Sequence, residues 1–248
     1  MADPIAILLI TAVAFLLAGF VKGVIGLGLP TIAVGLLGLV MKPAEAAAIL
    51  IVPSLVTNIW QIAGGPSIQP LLKRLWPMLI GVCIGTWAGG NLLTGNASHY
   101  ATTALGIVLV LYAGLGLIAI RFHISPRSER LLSPLIGAAT GLVTSATGVF
   151  VVPAVPYLQA LGLEKDDLVQ ALGISFTVST LALATVLAKD GTQHMSMAGS
   201  SLAALLPALA GMGGGQWVRS RVSAALFRRY FFVGLSILGA HLALRNML

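Results

Sequence analysis

Charge is what this sequence has least of. Only 8% of its 248 residues are charged, against roughly 25% in soluble globular domains. A water-soluble body of this length would lack the charge to cover its surface. The single cysteine, Cys83, excludes an internal disulfide and a thiolate metal cluster. The histidines (His99, His123, His194 and His241) are scattered near segment ends and share no ligand spacing, so neither a metal nor another cofactor is expected. No Walker motif or other phosphate loop occurs, so the chain does not itself use ATP. Nor does any carboxylate stand in the middle of an apolar run: Glu45, Asp166, Asp167 and Asp190 all sit at ends. Proton-driven carriers commonly place such groups at depth.

What is there is apolar. Hydrophobic residues make up 58% of the chain, with 29 Gly and 12 Pro, and the mean hydropathy is +1.00. This places the chain in a lipid bilayer with almost no soluble portion. The net charge of +7 does not point to nucleic acid, because the 14 Lys and Arg are spread singly or in small groups between long uncharged runs. Met1 to Pro4 lacks a basic stretch, and the apolar run behind it continues into more membrane sequence, so a cleavable signal is not expected. Asn96-Ala-Ser98 fits a glycosylation sequon, a pattern too common to carry weight.

A membrane helix needs about 20 apolar residues. The apolar runs are Ile5–Val21, Leu27–Met41, Ala44–Ala63, Leu75–Gly90, Ala101–Ile120, Leu131–Thr147, Val149–Leu161, Leu168–Ala188, Met195–Val218 and Leu226–Leu244. The expectation is an all-α polytopic membrane protein of about ten segments, eight spanning and two short, the second and seventh, of half-helix length. Each short segment follows a Gly- or hydroxyl-rich break. The first reads Gly19-Phe-Val-Lys-Gly23-Val-Ile-Gly26-Leu-Gly28-Leu-Pro30 and the second Gly137-Ala-Ala-Thr-Gly141-Leu-Val-Thr144-Ser-Ala-Thr147-Gly148. A shift of 118 lays Gly19 on Gly137 and Gly23 on Gly141, and a shift of 121 lays Ser54 on Ser175 and Asn58 on Ser179. The chain thus reads as two repeats of five segments, 1–121 and 131–248, joined by a cytoplasmic linker over 122–130. Five is odd, so the second repeat runs inverted across the membrane, a recurring transporter plan.

Loop charge gives the orientation. With the N-terminus outside, the inner side holds Lys22, Lys73, Arg74, Arg121, Arg127, Arg130, Lys165, Arg219, Arg221, Arg228 and Arg229, eleven in all, against Lys42, Lys189 and Arg245 outside. Both termini are therefore expected outside. The pairs Arg228-Arg229 and Arg219 with Arg221 read as topology anchors at the inner face.

Irregular backbone survives within a bilayer only when buried in protein or lining a cavity. Gly26 and Gly28 ease such a break, and Pro30 suits the first turn of the helix that follows. That helix, from Thr31 on, would aim free N–H groups and its positive dipole end inward, an arrangement that favours an anion. Close helix packing through the glycines is the competing account. In the third segment Ser54, Thr57, Asn58 and Gln61 stand at i, i+3, i+4 and i+7 on one helical face, bordered by Trp60, and Pro53 opens the ladder near Ile49. Such a row offers several hydrogen bonds to one anion, although interhelical bonding would use the same groups. The eighth segment carries a thinner counterpart in Ser175 and Ser179, because Val178 and Ala182 replace Thr57 and Gln61. Thr144, Ser145 and Thr147 offset this at the second break. Lys22 either draws an anion toward the site or snorkels to the interface. Glu45, which falls on Asp166 at the 121 shift, is with it the best candidate pair for proton coupling.

The Gly-rich stretch from Gly19 to Gly28, its echo from Gly137, and Pro53-Ser-Leu-Val-Thr57-Asn58-Ile-Trp60-Gln61 resemble the TauE/SafE sulfite exporter family of bacterial membrane transporters, over nearly the whole chain. The resemblance implies an inner-membrane carrier for small sulfur-containing anions, such as sulfite, thiosulfate or the two-carbon sulfonates taurine, isethionate and sulfoacetate. Family members often carry a longer Gly run at both breaks. Here Leu29-Pro30 replaces part of the first and Thr147 interrupts the second. A passive anion channel is the alternative. An intramembrane enzyme using Ser175 or Ser145 is disfavoured, since no His, Lys or Asp stands mid-segment beside either to act as base.

Overall fold

The structure is a computed structural model and describes residues 4–66, 68–90, 92–95, 98–118, 123–189, 195–219 and 221–245. Asn96, Arg121, Asp190, His194, the side chain of His99 and the boundary expected at 121–122 lie outside the described residues.

Among the described residues every regular element is helical. Ten α-helices follow one another: α1 (Pro4–Ile25), α2 (Leu29–Leu37), α3 (Pro43–Ala63), α4 (Ile68–Ala88), α5 (Ala101–Ile118), α6 (Pro126–Thr147), α7 (Ala154–Ala160), α8 (Lys165–Lys189), α9 (Met195–Arg219) and α10 (Ala224–Leu244), with one 3₁₀ turn at Ser98–Tyr100. Four of them, α1, α3, α5 and α8, are both long and apolar enough to cross a membrane. Helices α4 and α6 begin several residues before the apolar runs Leu75–Gly90 and Leu131–Thr147. At α6 the reason is local: Ser125 caps it by accepting from the Ser128 N–H, and Pro126 fits the first turn.

Apolar side chains cover the outside, and a row of polar ones is enclosed within an otherwise apolar core. Leu8, Leu9, Trp76, Ile84, Trp87, Leu131, Leu206, Trp217 and Ile237 are exposed on the outside, while Thr31, Ser54, Thr57, Asn58, Thr140, Thr144 and Ser175 are buried. An apolar exterior of this kind suits lipid. The centre is the pair α3 and α8, of whose membrane-length windows 61% and 67% is buried, against 33% for α1 and for α5. Asn58 and Gln61 of α3 lie against Gly173 of α8, while Ser54 meets Thr180, so the two helices run antiparallel.

Around this pair, α1 packs on α9 and α4 on α6. Their contacts have one register. A Cβ on Gly19 or Gly23 would strike the carbonyl oxygens of Ala208 or Met212, and one on Gly137 or Gly141 those of Met78 or Val82. Reciprocally, Gly211 and Gly215 sit on Leu16 and Phe20, and Gly81 and Gly85 on Pro134 and Ala138. Backbones at this range tolerate no side chain larger than hydrogen.

Two interruptions are present, and both are narrower than expected. Helix α1 continues through Gly19 and Gly23, which pack rather than break, and stops at Ile25. The first break is Gly26–Gly28, with φ of 77° at Gly26 and 104° at Gly28, left-handed values that a side chain would strain. Pro30 lies in the first turn of α2, whose start is Gly28. Helix α6 likewise runs through Gly137, Gly141 and the hydroxyls to Thr147. The second break is Gly148–Pro153, so α7 is shorter than the run Val149–Leu161.

Pro53 does not open α3. It leaves the Ile49 carbonyl without its helical donor, and Ser201 of α9 supplies one, its hydroxyl donating to Ile49 O at 2.8 Å and accepting from Val52 N at 3.1 Å.

Candidate functional site

The polar face of α3 turns inward as one cluster. Ser54 and Asn58 are each 1% exposed and Thr57 not at all, with Gln61 at 8%. Asn58 Nδ2 donates to Ser54 Oγ at 3.1 Å, and Ser54 Oγ shares a 3.0 Å bond with Thr180 Oγ1 of α8. Thr57 Oγ1 donates back to Pro53 O at 2.7 Å. Gln61 Nε2 donates to the carbonyl of Gly26 at 2.8 Å, tying α3 to the first break. That carbonyl has lost its helical context, and the amide replaces the partner it would otherwise lack.

Lys22, one turn before the break, enters the same cluster. Its ammonium is 4% exposed, donating to Thr57 Oγ1 at 3.0 Å and to Asn58 Oδ1. It does not snorkel. The described ion pair of the chain, Arg74 with Glu129, lies elsewhere, so the Lys22 amine meets only neutral oxygens among the described residues. A buried cation with neutral partners alone retains much of its desolvation cost. The donor inventory adds Lys22 to the neutral donors expected: Asn58 Nδ2 and Gln61 Nε2 each commit one of two N–H groups, to Ser54 and Gly26, and Lys22 Nζ commits two of three. Two further buried atoms have no partner, Gln61 Oε1 on this face of α3 and Ser175 Oγ on α8. Ser175 stands two residues, about 200° of helical turn, from Gly173, so it is not on the α8 face that packs on Asn58 and Gln61.

The other expected residues sort into three groups. Ser179 is buried on α8, but its hydroxyl is committed to Ser175 O at 2.9 Å. Thr31 Oγ1 donates to Gly28 O at 2.9 Å and steadies the start of α2. Trp60, 61% exposed, points away from the cluster, because one step along a helix is a turn of about 100°. Thr144, Ser145 and Thr147 do not join the first break. They lie within α6 and donate to Thr140, Leu142 and Val143 carbonyls of that helix. Gly148 beyond them abuts Ala47, some 16 Å along α3 from Asn58 at about 1.5 Å per residue. Glu45 accepts from the Lys42 N–H in the first turn of α3, and Asp166 stands exposed in the first turn of α8. The two helices being antiparallel, these carboxylates occupy opposite ends. Thr180, one of the polar groups near Ser175 and Ser179 on the eighth segment, is the further member of the cluster. Its signal was its reach toward Ser54 across the antiparallel pair, which needs the register of α3 on α8.

An all-helical chain with an apolar exterior, a row of polar side chains enclosed in its core and irregular backbone held inside by side chains is a multi-pass membrane protein, and its broken helices are those of a transporter. The family model of the sulfite exporter TauE/SafE matches residues 11–242, and the chain belongs to that family. Its members are transporters rather than enzymes, so this chain is a membrane transporter of sulfur-containing anions, with the bilayer and a small substrate as partners. No curated protein and no solved structure matches the chain.

Proposed function

We propose that this chain is a secondary transporter of sulfite, thiosulfate or a two-carbon sulfonate, and that the anion binds where Lys22 now meets Thr57 and Asn58. The observation that carries this is the buried Lys22 amine with no carboxylate against it among the described residues. A fixed positive charge enclosed in protein is stabilised by an anion far more than by amide and hydroxyl oxygens. Gly26, Gln61 and Ser54 would line the bound anion.

Alternating access would arise from two inverted halves, with α1, α3, α4, α5 and then α6, α8, α9, α10 spanning, and α2 and α7 entering part-way. The helix lengths support this, since the eight have 18 to 25 residues and α2 and α7 have 9 and 7. So does the shared register: the pairs Gly19–Ala208 and Gly23–Met212 become Gly137–Met78 and Gly141–Val82 when the halves are exchanged. Membership of the family supports an inner bacterial membrane, and the loop charges favour both termini outside.

A thermal-shift screen of the purified protein against sulfite, thiosulfate, taurine, isethionate and sulfoacetate identifies the ligand. Saturable counterflow of that labelled anion in proteoliposomes then tests the mechanism, and non-saturating flux would speak for a channel. Asn58→Ala and Gln61→Ala are expected to abolish counterflow while the proteins still insert. Unchanged transport in both variants removes the site.

A further inference from the structure

A cavity of about 770 Å³ opens beside the first break and takes no part in the cluster around Lys22. Leu27, between the two left-handed glycines, forms part of its wall with Tyr112 of α5, Gln159 of α7, Lys165 of α8, Arg228 of α10 and His123 from the α5–α6 connection. Three of the described lining residues are basic and none is acidic. Glu164 and Asp166 flank Lys165 in sequence without lining the cavity, and neither Lys165 nor Arg228 belongs to the described ion pair. A second observation is independent of charge. Tyr112 is 2% exposed and its hydroxyl has no hydrogen-bond partner, while Phe232, also in the wall, holds its ring edge-on at 5.2 Å. An unpaired phenolic O–H inside protein is costly, and a ligand oxygen at this wall would satisfy it.

The geometry points to this cavity as an anion antechamber, a second binding place for a small sulfonate or sulfur oxyanion, held by Lys165, Arg228 and the Tyr112 hydroxyl. From there the anion passes Leu27 to reach Lys22. That onward route rests on the transport reading, whereas the binding place itself does not. Concave walls of one sign raise the local concentration of counter-ions. The phosphate of an anionic lipid carries the same chemistry, so the source of the anion is part of the test.

The test places a thiol in the cavity. Gln159→Cys in a Cys83→Ser background is labelled, in detergent, with negatively and positively charged methanethiosulfonates of similar size. The negative reagent is expected to react about tenfold faster, and Lys165→Gln with Arg228→Gln to erase that preference. Isethionate, which does not react with the reagents, slows labelling in the parent but not in the double variant. Equal rates in the parent, or a preference that survives both substitutions, overturns the antechamber. In vesicles of phosphatidylcholine with and without phosphatidylglycerol, protection by isethionate in both supports a free anion. Protection by phosphatidylglycerol alone overturns the free anion as the occupant. Lys22→Gln separates the two sites, since it should stop counterflow and leave the charge preference at position 159 intact. A Lys22→Gln protein that still transports sinks the central site and leaves the antechamber standing.

Discussion

Lys22→Met is the sharpest probe of the central cluster, because binding and stability should move apart. Methionine keeps an unbranched stem of similar length and removes the charge. In the empty protein the substitution ends the burial of an ammonium that no carboxylate compensates, a penalty of several kcal/mol per ion. Against this, Thr57 Oγ1 and Asn58 Oδ1 lose their donor, at about 1–3 kcal/mol each. Thr57 still donates to Pro53 O, and Asn58 still holds Ser54 through Nδ2. The two effects are of one size, so the empty variant should melt within a few degrees of the parent, or above it.

Binding has no such compensation. An ammonium about 4 Å from a monovalent anion gains about 4 kcal/mol at an effective dielectric near 20. Lys22 Nζ has a third N–H, so reaching the anion surrenders only one of its two neutral acceptors and returns about 1.5 kcal/mol. The remaining 2.5 kcal/mol or so corresponds to a Kd roughly sixtyfold weaker in Lys22→Met. Melting curves in detergent, titrated with the ligand found by the screen, measure both quantities on one sample. A Kd within about threefold of the parent would refute the role of Lys22 as counter-charge. A large fall in the melting temperature of the empty variant would instead make the ammonium a structural member of the bundle.

Three further outcomes follow from the packing. Ser175→Ala removes a buried hydroxyl with no partner, so the empty protein should keep or raise its melting temperature, with the ligand Kd within about threefold of the parent. Gly19→Ala and Gly137→Ala each put a Cβ 2.1 Å from a carbonyl oxygen and should destabilise alike, by about 1–3 kcal/mol. Gly114→Ala, with nothing within 4 Å, should be neutral or gain up to about 1 kcal/mol. Thermal unfolding of the three side by side checks the ranking. Arg74→Gln strips Glu129 of its bonds at 2.7 and 2.8 Å and the Leu161 carbonyl of its donor, and should cost about 2 kcal/mol. Equal melting of parent and Arg74→Gln would show that water replaces the guanidinium.

What was legible in the sequence followed from helical geometry. Ser54, Thr57, Asn58 and Gln61 share a face by their spacing alone, and they are buried together. Gly26, Gly28 and Pro30 announced a break because left-handed backbone and a missing N–H are local demands. Glycines in general were ambiguous. Gly19 and Gly23 belong to the same Gly-rich stretch as Gly26, yet they serve contact with α9, and nothing within α1 distinguishes the two uses. The gap expected at Pro53 was closed by Ser201, about 150 residues away in sequence, a partner no local pattern can name. The cavity was hidden for a related reason. Lys165 and Arg228 read singly as charges at segment ends, and their convergence with Tyr112 and His123 depends on how four separate parts of the chain meet.

On the proposed reading, Lys22 has no charged counterpart in the second half, and this places the site toward the first break. The shift of 118 that takes Gly19 to Gly137 and Gly23 to Gly141 takes Lys22 to Thr140. Thr140 is fully buried, as its counterpart nearly is, but its hydroxyl turns back to Ile136 O at 2.8 Å and asks for nothing else. Thr57 and Gln61 are likewise answered in α8 by Val178 and Ala182. Of two corresponding positions only the one beside the first break can neutralise an anion, so binding on the transport reading is off-centre, toward Gly26. A single lysine also resolves the return of the empty carrier. An ammonium stripped of its anion inside a bilayer would pull water or lipid headgroups inward. Here Thr57 and Asn58 stand within hydrogen-bond reach and take the place of the departing anion. They are good enough as acceptors to keep Lys22 inside, and poor enough, being neutral, to yield to the next anion.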